Sequence, residues 1–138
     1  MRNKDDWGTP QELYDKLDEE FNFTIDPCPY PKPEWDGLEL DWCDERVFVN
    51  PPYSGNNIKL WMEKCFNERS KAEVIVMLIP TTKTGTKYFK NCVLDINAEM
   101  RFITGRINFI PLDGQNDNSN PLYSMLIIWR KILVEAEQ

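Results

Sequence analysis

The sequence predicts an α/β protein with an open, mostly parallel sheet, helices on both faces and an antiparallel pair of strands at the C-terminal end. Three observations carry this prediction. Short apolar, β-branched runs alternate with segments whose apolar residues recur every three or four positions. Residues 74–79 are apolar without alternation, as in a strand covered on both faces. The last strand-like segments follow one another with no helix-spaced stretch between them, which favours antiparallel pairing over a crossover.

Taken in order, Thr9-Pro10-Gln11-Glu12 reads as a helix start, with Thr9 as cap, Pro10 in the first helical position and Glu12 as the capping-box acid. Leu13, Leu17 and Phe21 then line one helix face. Phe23-Thr24-Ile25 alternates as a strand does and stops at Asp26-Pro27. Pro27, Pro29, Pro31 and Pro33 make the next stretch an extended loop. Residues 46–49 form a second apolar strand ending at Asn50-Pro51-Pro52-Tyr53. After a turn at Ser54-Gly55-Asn56, the spacing of Ile58, Trp61, Met62, Cys65 and Phe66 predicts a helix. The buried strand of residues 74–79 leads through Pro80 and a Thr-rich turn into a short helix near residues 87–92. Residues 100–103 and 106–110 read as two strands, 112–120 as a polar loop and 123–129 as the last strand. No repeat or linker divides the chain. At 138 residues a fold buries roughly two-thirds of its unfolded surface, so one compact domain over 1–138 is expected, without a separate recognition domain.

Composition removes several chemistries. The chain has no histidine, which excludes hydrolases with a histidine base, histidine-ligated zinc and zinc deaminases. The cysteines Cys28, Cys43, Cys65 and Cys92 form no Cys-x-x-Cys pair, so thiols in a reducing compartment are expected and no metal. The N-terminus has no apolar export core, and residues 74–79 are too few to span a bilayer. A soluble cytoplasmic protein is the expectation. Net charge is −7, which disfavours a polyanion partner, but its distribution is uneven. Residues 1–50 hold 14 acidic and 5 basic side chains, against 9 and 11 in residues 51–138. Any polyanion would meet the second part, around Lys83, Lys87, Lys90, Arg101 and Arg106.

In open α/β sheets ligands lie at the carboxyl ends of strands. Asp26-Pro27-Cys28 and Asn50-Pro51-Pro52-Tyr53 both occupy such ends. Two successive prolines lock the backbone, so that the Asn50 side chain and the Pro51 carbonyl aim two acceptors at one point. Such a pair suits a planar exocyclic amine whose lone pair must be freed from ring conjugation, and Tyr53 adds a flat face for stacking. The plainer alternative is a rigid turn with a core tyrosine. The Thr-rich turn with Lys87 after Gly85-Thr86 is no P-loop, because the upstream glycine is missing. Lys83 and Lys87 could contact phosphates there, while Arg106 could guide a nucleic-acid strand or pair with an acid. Trp7, Trp35 and Trp42 suggest packing in the core or in a ligand wall.

The tetrapeptide after its strand resembles the catalytic motif of S-adenosylmethionine-dependent amino-methyltransferases. The whole chain, in order, is similar to phage-type Dam-like DNA N6-adenine methyltransferases. The shared elements are Asp6-Trp7-Gly8-Thr9-Pro10, Asp26-Pro27-Cys28, Asp36-Gly37-Leu38 with Asp41-Trp42, Leu78-Ile79-Pro80, Gly105-Arg106-Ile107-Asn108-Phe109, and Pro121 with Ser124-Met125-Leu126. The resemblance implies a Rossmann-like methyltransferase fold and a phage or prophage protein acting in a bacterial host. It implies catalysis by Asn50, Pro51, Pro52 and Tyr53 on a flipped adenine. It also implies an S-adenosylmethionine pocket built from Trp7, Thr9, Pro10, Asp26, Pro27, Cys28, Asp36, Leu38 and Asn50. The helix start would seat the methionyl carboxylate, and Asp26 would take either the ammonium or a ribose hydroxyl. Lys83, Lys87 and Arg106 would meet DNA, and a second copy could help grip a duplex. The Phe-x-Gly-x-Gly loop of many methyltransferases is absent, and Asp26-Pro27-Cys28-Pro29 stands in its place. Two rivals stay open at this point: transfer to another amine (RNA guanine or protein glutamine), and a non-catalytic module that binds S-adenosylmethionine or a partner.

Overall fold

A computed structural model describes residues 7–29, 32–106, 110–111 and 123–131. Its main sheet holds β2 (Arg46–Val49), β3 (Val74–Pro80), β4 (Glu99–Arg106) and β6 (Tyr123–Arg130), in the order β2-β3-β6-β4. A second, two-stranded ladder pairs β1 (Trp7–Gly8) with β5 (Ile110–Pro111). The helices are α1 (Gln11–Phe21), α2 (Asn57–Glu68) and α3 (Lys87–Phe89), the last continuing as a π-helical turn over Lys90–Leu94.

The protein is thus mixed α/β, but its sheet is not mostly parallel. Only β2 and β3 form a parallel pair; β6 is antiparallel to both β3 and β4. A parallel neighbour needs a long crossover, whereas β6 starts at the edge where β4 ends and inserts between β4 and β3. The strand expected at residues 23–25 is reduced to one parallel bridge, Ile25 with Val47, because the prolines that follow stop the ladder. The two strands expected at 100–103 and 106–110 are one strand to Arg106, irregular between Phe102 and Arg106. Residues 107–109 and the expected polar loop 112–120 lie outside the described residues.

The start of α1 also differs from expectation. Pro10 occupies the cap position with extended backbone (φ −58°, ψ 136°), and no side chain caps the helix. The Tyr14 N–H donates to the Pro10 carbonyl at 3.1 Å, and Glu12 lies 3.7 Å from Lys16 instead of closing a capping box. Thr9 lies one residue before the cap, and its hydroxyl accepts a hydrogen bond from a side chain elsewhere in the chain.

All seven residues of β3 are buried, which explains its unbroken apolar run. Val74, Val76 and Leu78 pack with Leu17 and Phe21 of α1; Ile75, Met77 and Ile79 pack with Ile58, Met62 and Cys65 of α2 and Val93 beyond α3. Each such side chain stabilises the fold by about 1.5–3 kcal/mol. Helices therefore cover both faces, as the sequence predicts. Cys28, Cys43, Cys65 and Cys92 form no disulfide, and burial pushes the Cys65 thiol well up. No helix among the described residues is long and apolar enough to cross a membrane.

The strand directions define one edge. β2 and β3 end there together, β4 ends there because it opposes β6, and β6 begins there at Tyr123-Ser124.

Candidate active site

Asn50 leaves β2 at this edge. Its side-chain amide Nδ2 donates to the Thr9 Oγ1 at 2.8 Å, a contact spanning 41 positions of sequence. Pro51 is buried and Pro52 half-buried. The Tyr53 ring packs against both core clusters, so it sits where the sheet's two faces meet. Its hydroxyl is buried beside that of Ser124, and burial holds its pKa far above the ordinary value. Just beyond, Gly55 takes a left-handed conformation (φ +57°), and Asn57 donates through its backbone N–H (3.2 Å) and Nδ2 (2.8 Å) to the Ser54 carbonyl. The tetrapeptide is braced on both sides.

Asp26 follows a short stretch tied to β2. The N–H groups of Thr24 (2.7 Å) and Ile25 (3.2 Å) donate to the Arg46 carbonyl, and the Phe48 N–H donates to the Ile25 carbonyl at 3.2 Å. The Asp26 Oδ1 accepts the Cys28 N–H at 3.0 Å. Burial pushes the Asp26 carboxyl up to about 6, against the pull of that N–H.

The segment Asp36-Gly37-Leu38 stands directly against this loop. A Cβ on Gly37 would lie 1.8 Å from the Pro27 carbonyl oxygen, so only glycine permits the approach. The Asp36 Oδ1 accepts the Leu38 N–H at 3.0 Å and caps a 3-10 turn over Gly37–Glu39. Leu38 and Cys28 both pack on the larger core cluster. The far end of this loop is held by α2. The buried Glu68 accepts the Trp42 N–H at 3.0 Å, while Lys64 donates to the Leu40 carbonyl at 2.6 Å and lies 3.3 Å from Glu68. These donors, with Lys71, hold the Glu68 carboxyl below its ordinary value although burial opposes them. Trp42 is wholly buried and stacks on Trp61, with ring centroids 6.4 Å apart and planes 14° apart.

The family model for DNA N-6-adenine-methyltransferase (Dam) matches residues 1–137. The chain belongs to the Dam family. A relative, the DNA N-6-adenine-methyltransferase of Haemophilus phage HP1 (strain HP1c1), is 27% identical over 139 residues, covering 92% of this chain and 79% of the relative. No solved structure matches.

This Dam-family protein is a DNA N6-adenine methyltransferase, and the resemblance read from its motifs holds. Family membership sets aside both rivals, transfer to another amine and a module without catalysis. The family implies a methyl donor and DNA as substrate. Among the described residues, no group of three or more His, Cys, Asp or Glu is placed to hold a metal ion.

The Dam-family fold brings several of the expected residues together: Thr9 with Asn50, and Pro27 with Gly37 between Asp36 and Leu38. Others stand apart. Trp42 is core, Trp35 is exposed, and Trp7 contributes its backbone to the β1–β5 ladder; its side chain lies outside the description. Arg106 pairs with Tyr123 in the sheet, and its side chain is likewise outside it. The basic group divides. Arg101 makes two bonds of 2.7 Å to Glu20 and one of 3.0 Å to Glu99, and Lys90 pairs with Asp95 at 3.0 Å. Each of these two already has a carboxylate partner. Lys83 and Lys87, in the turn after β3 and at the start of α3, have no carboxylate partner among the described residues. Sequence reasoning missed Lys64 and Glu68, and gave Ser124 no contact with Tyr53. A Lys and Glu four apart on a helix ordinarily form a solvated pair, so nothing in the sequence marks these as buried anchors.

Proposed function

We propose that this enzyme takes its methyl group from S-adenosylmethionine, uses a Rossmann-like methyltransferase fold, and acts on adenine extruded from duplex DNA in the cytoplasm of a bacterial host. The observation that carries this reading is convergence at one edge. The tetrapeptide leaves the sheet beside two loops, and these press together at the Pro27–Gly37 contact next to a half-buried acid. The residues present fit the donor's chemistry. A half-buried carboxylate with one oxygen committed to its own loop offers the other to an ammonium or a ribose hydroxyl. Asp36 and Leu38 would flank the adenine of the donor, Pro27 and Cys28 would line the same pocket, and the backbone at Trp7, Pro10 and the start of α1 would seat its carboxylate. S-adenosylmethionine, when bound, supplies a methyl group made electrophilic by its sulfonium charge.

The chain's own residues do the rest. The Asn50 Oδ1 and the Pro51 carbonyl accept the two hydrogens of the adenine N6, drawing the amine out of conjugation. Their negative ends also stabilise the positive charge that nitrogen gains as it forms its new bond. Pro51 and Pro52 keep these acceptors from relaxing. Tyr53 stacks on the extruded base, its ring held by the packing around its buried hydroxyl. Lys83, Lys87 and Arg106 meet phosphates of the duplex. The test is single-turnover methyl transfer. Asn50→Ala should bind S-adenosylmethionine yet transfer on the order of a hundredfold more slowly. Tyr53→Phe should keep substantial activity and Tyr53→Ala should lose it. A folded Asn50→Ala that transfers at the wild-type rate would reduce the tetrapeptide to a turn.

A further inference from the structure

We infer that Thr9 is a positioning residue for catalysis: its hydroxyl hydrogen-bonds the Asn50 side-chain amide and so holds that side chain in place at the end of its strand, with Oδ1 left for the substrate. This rests on the reading of Asn50 as an acceptor for the target amine and adds a role for Thr9 separate from donor binding.

An asparagine amide carries a donor end and an acceptor end of nearly equal size, and turning it about its last torsion exchanges them. Only the orientation with Oδ1 toward the substrate can accept a hydrogen from an exocyclic amine. In that orientation Nδ2 points away from substrate and, at a half-buried position, needs an acceptor of its own. Thr9 supplies it at 2.8 Å. Among the described residues this contact ties the Asn50 amide to a segment outside its own loop. The placement of Thr9 is itself built. Trp7 and Gly8 pair with Pro111 and Ile110, which fixes the residue that follows them. Pro10 then holds the cap position of α1, and no helix N–H competes for the Thr9 hydroxyl. A threonine that local sequence marks as a helix cap is thereby given to a partner 41 positions away.

The experiment combines single-turnover methyl transfer on adenine-containing duplex DNA with calorimetric S-adenosylmethionine binding. The variants are Thr9→Val, Thr9→Ala, Thr9→Ser, and Thr9→Val in an Asn50→Ala background. Thr9→Val and Thr9→Ala should each slow transfer on the order of tenfold, with donor affinity unchanged within about twofold. Thr9→Ser, which keeps the oxygen, should transfer at close to the wild-type rate. In the Asn50→Ala background the Thr9 substitution should add no further loss, because the group it orients is gone. A wild-type rate in folded Thr9→Val and Thr9→Ala overturns the inference. Weakened donor binding, with rate losses that add to those of Asn50→Ala, also overturns it and returns Thr9 to the donor pocket. If Asn50→Ala alone transfers at the wild-type rate, the acceptor reading of the tetrapeptide fails and takes this inference with it.

Discussion

Replacing Asp26 by asparagine should make the protein more stable near neutral pH while weakening its hold on the methyl donor. The carboxyl titrates at about 6 in the folded chain against an ordinary 3.8, a difference of about two units caused by burial. At about 1.36 kcal/mol per unit, keeping Asp26 ionised in the fold costs up to about 3 kcal/mol. Because the folded value is the higher one, the acid favours the fold only while protonated. Its contribution is fully present below about pH 4 and is lost as pH rises through 6. Asparagine keeps a carbonyl oxygen for the Cys28 N–H, now 3.0 Å from Oδ1, and has no charge to desolvate. Urea unfolding of the two proteins at pH 4, 5, 6 and 7.5 should give a stability gap that opens between pH 4 and 6. Above pH 6 it should level off, with Asp26→Asn the more stable by up to about 3 kcal/mol. Donor affinity should move the opposite way, since an ammonium or hydroxyl loses its ionic partner. A gap that does not change with pH, or an asparagine variant less stable at pH 7.5, would refute the argument that burial alone raises this group.

Two further outcomes follow from contacts already described. Gly37→Ala drives a methyl group to within 1.8 Å of the Pro27 carbonyl, so the two loops must separate; thermal melting should report a loss of about 1–3 kcal/mol, and calorimetry a weaker donor. Lys83→Ala with Lys87→Ala should weaken DNA binding and flatten its dependence on log salt by nearly two units, whereas Arg101→Ala, already paired with Glu20 and Glu99, should leave that slope alone. An unchanged slope in the lysine double variant removes that turn from the DNA interface.

Much of the site was legible because its signals are local. Two successive prolines after the strand ending at Val49, and an Asp-Pro pair after Ile25, mark rigid strand ends whatever the rest of the chain does. The unbroken apolar run of β3 likewise reports burial on both faces without any knowledge of neighbours. Strand order is not local. Nothing in the residues of β6 distinguishes an edge strand from one inserted between β3 and β4, so the parallel content was overestimated. Thr9 failed as a cap for a related reason. Its propensity is real, but the helix takes Pro10 as its cap, one residue later, and the Thr9 hydroxyl goes to a tertiary partner, Asn50. Glu68 and Lys64 look like a surface pair and become buried anchors only because the loop ending at Trp42 folds over them.

The place of β6 has a consequence for how the enzyme is made. Residues 123–130 are the last strand in chain order, yet they form one of the two inner strands, with β3 on one side and β4 on the other. A nascent chain that has synthesised β2, β3 and β4 therefore holds two strand edges with no partner, waiting for a segment still inside the ribosome. The pairings of β6 with β3 join residues about fifty apart, Val74 with Arg130 at the far end of the ladder, so that side of the closure belongs to the slower class of folding events. Ser124, which sits beside the Tyr53 hydroxyl, arrives with the same strand. The packing around Tyr53 is thus completed only when the sheet is, and partial chains are left without both at once.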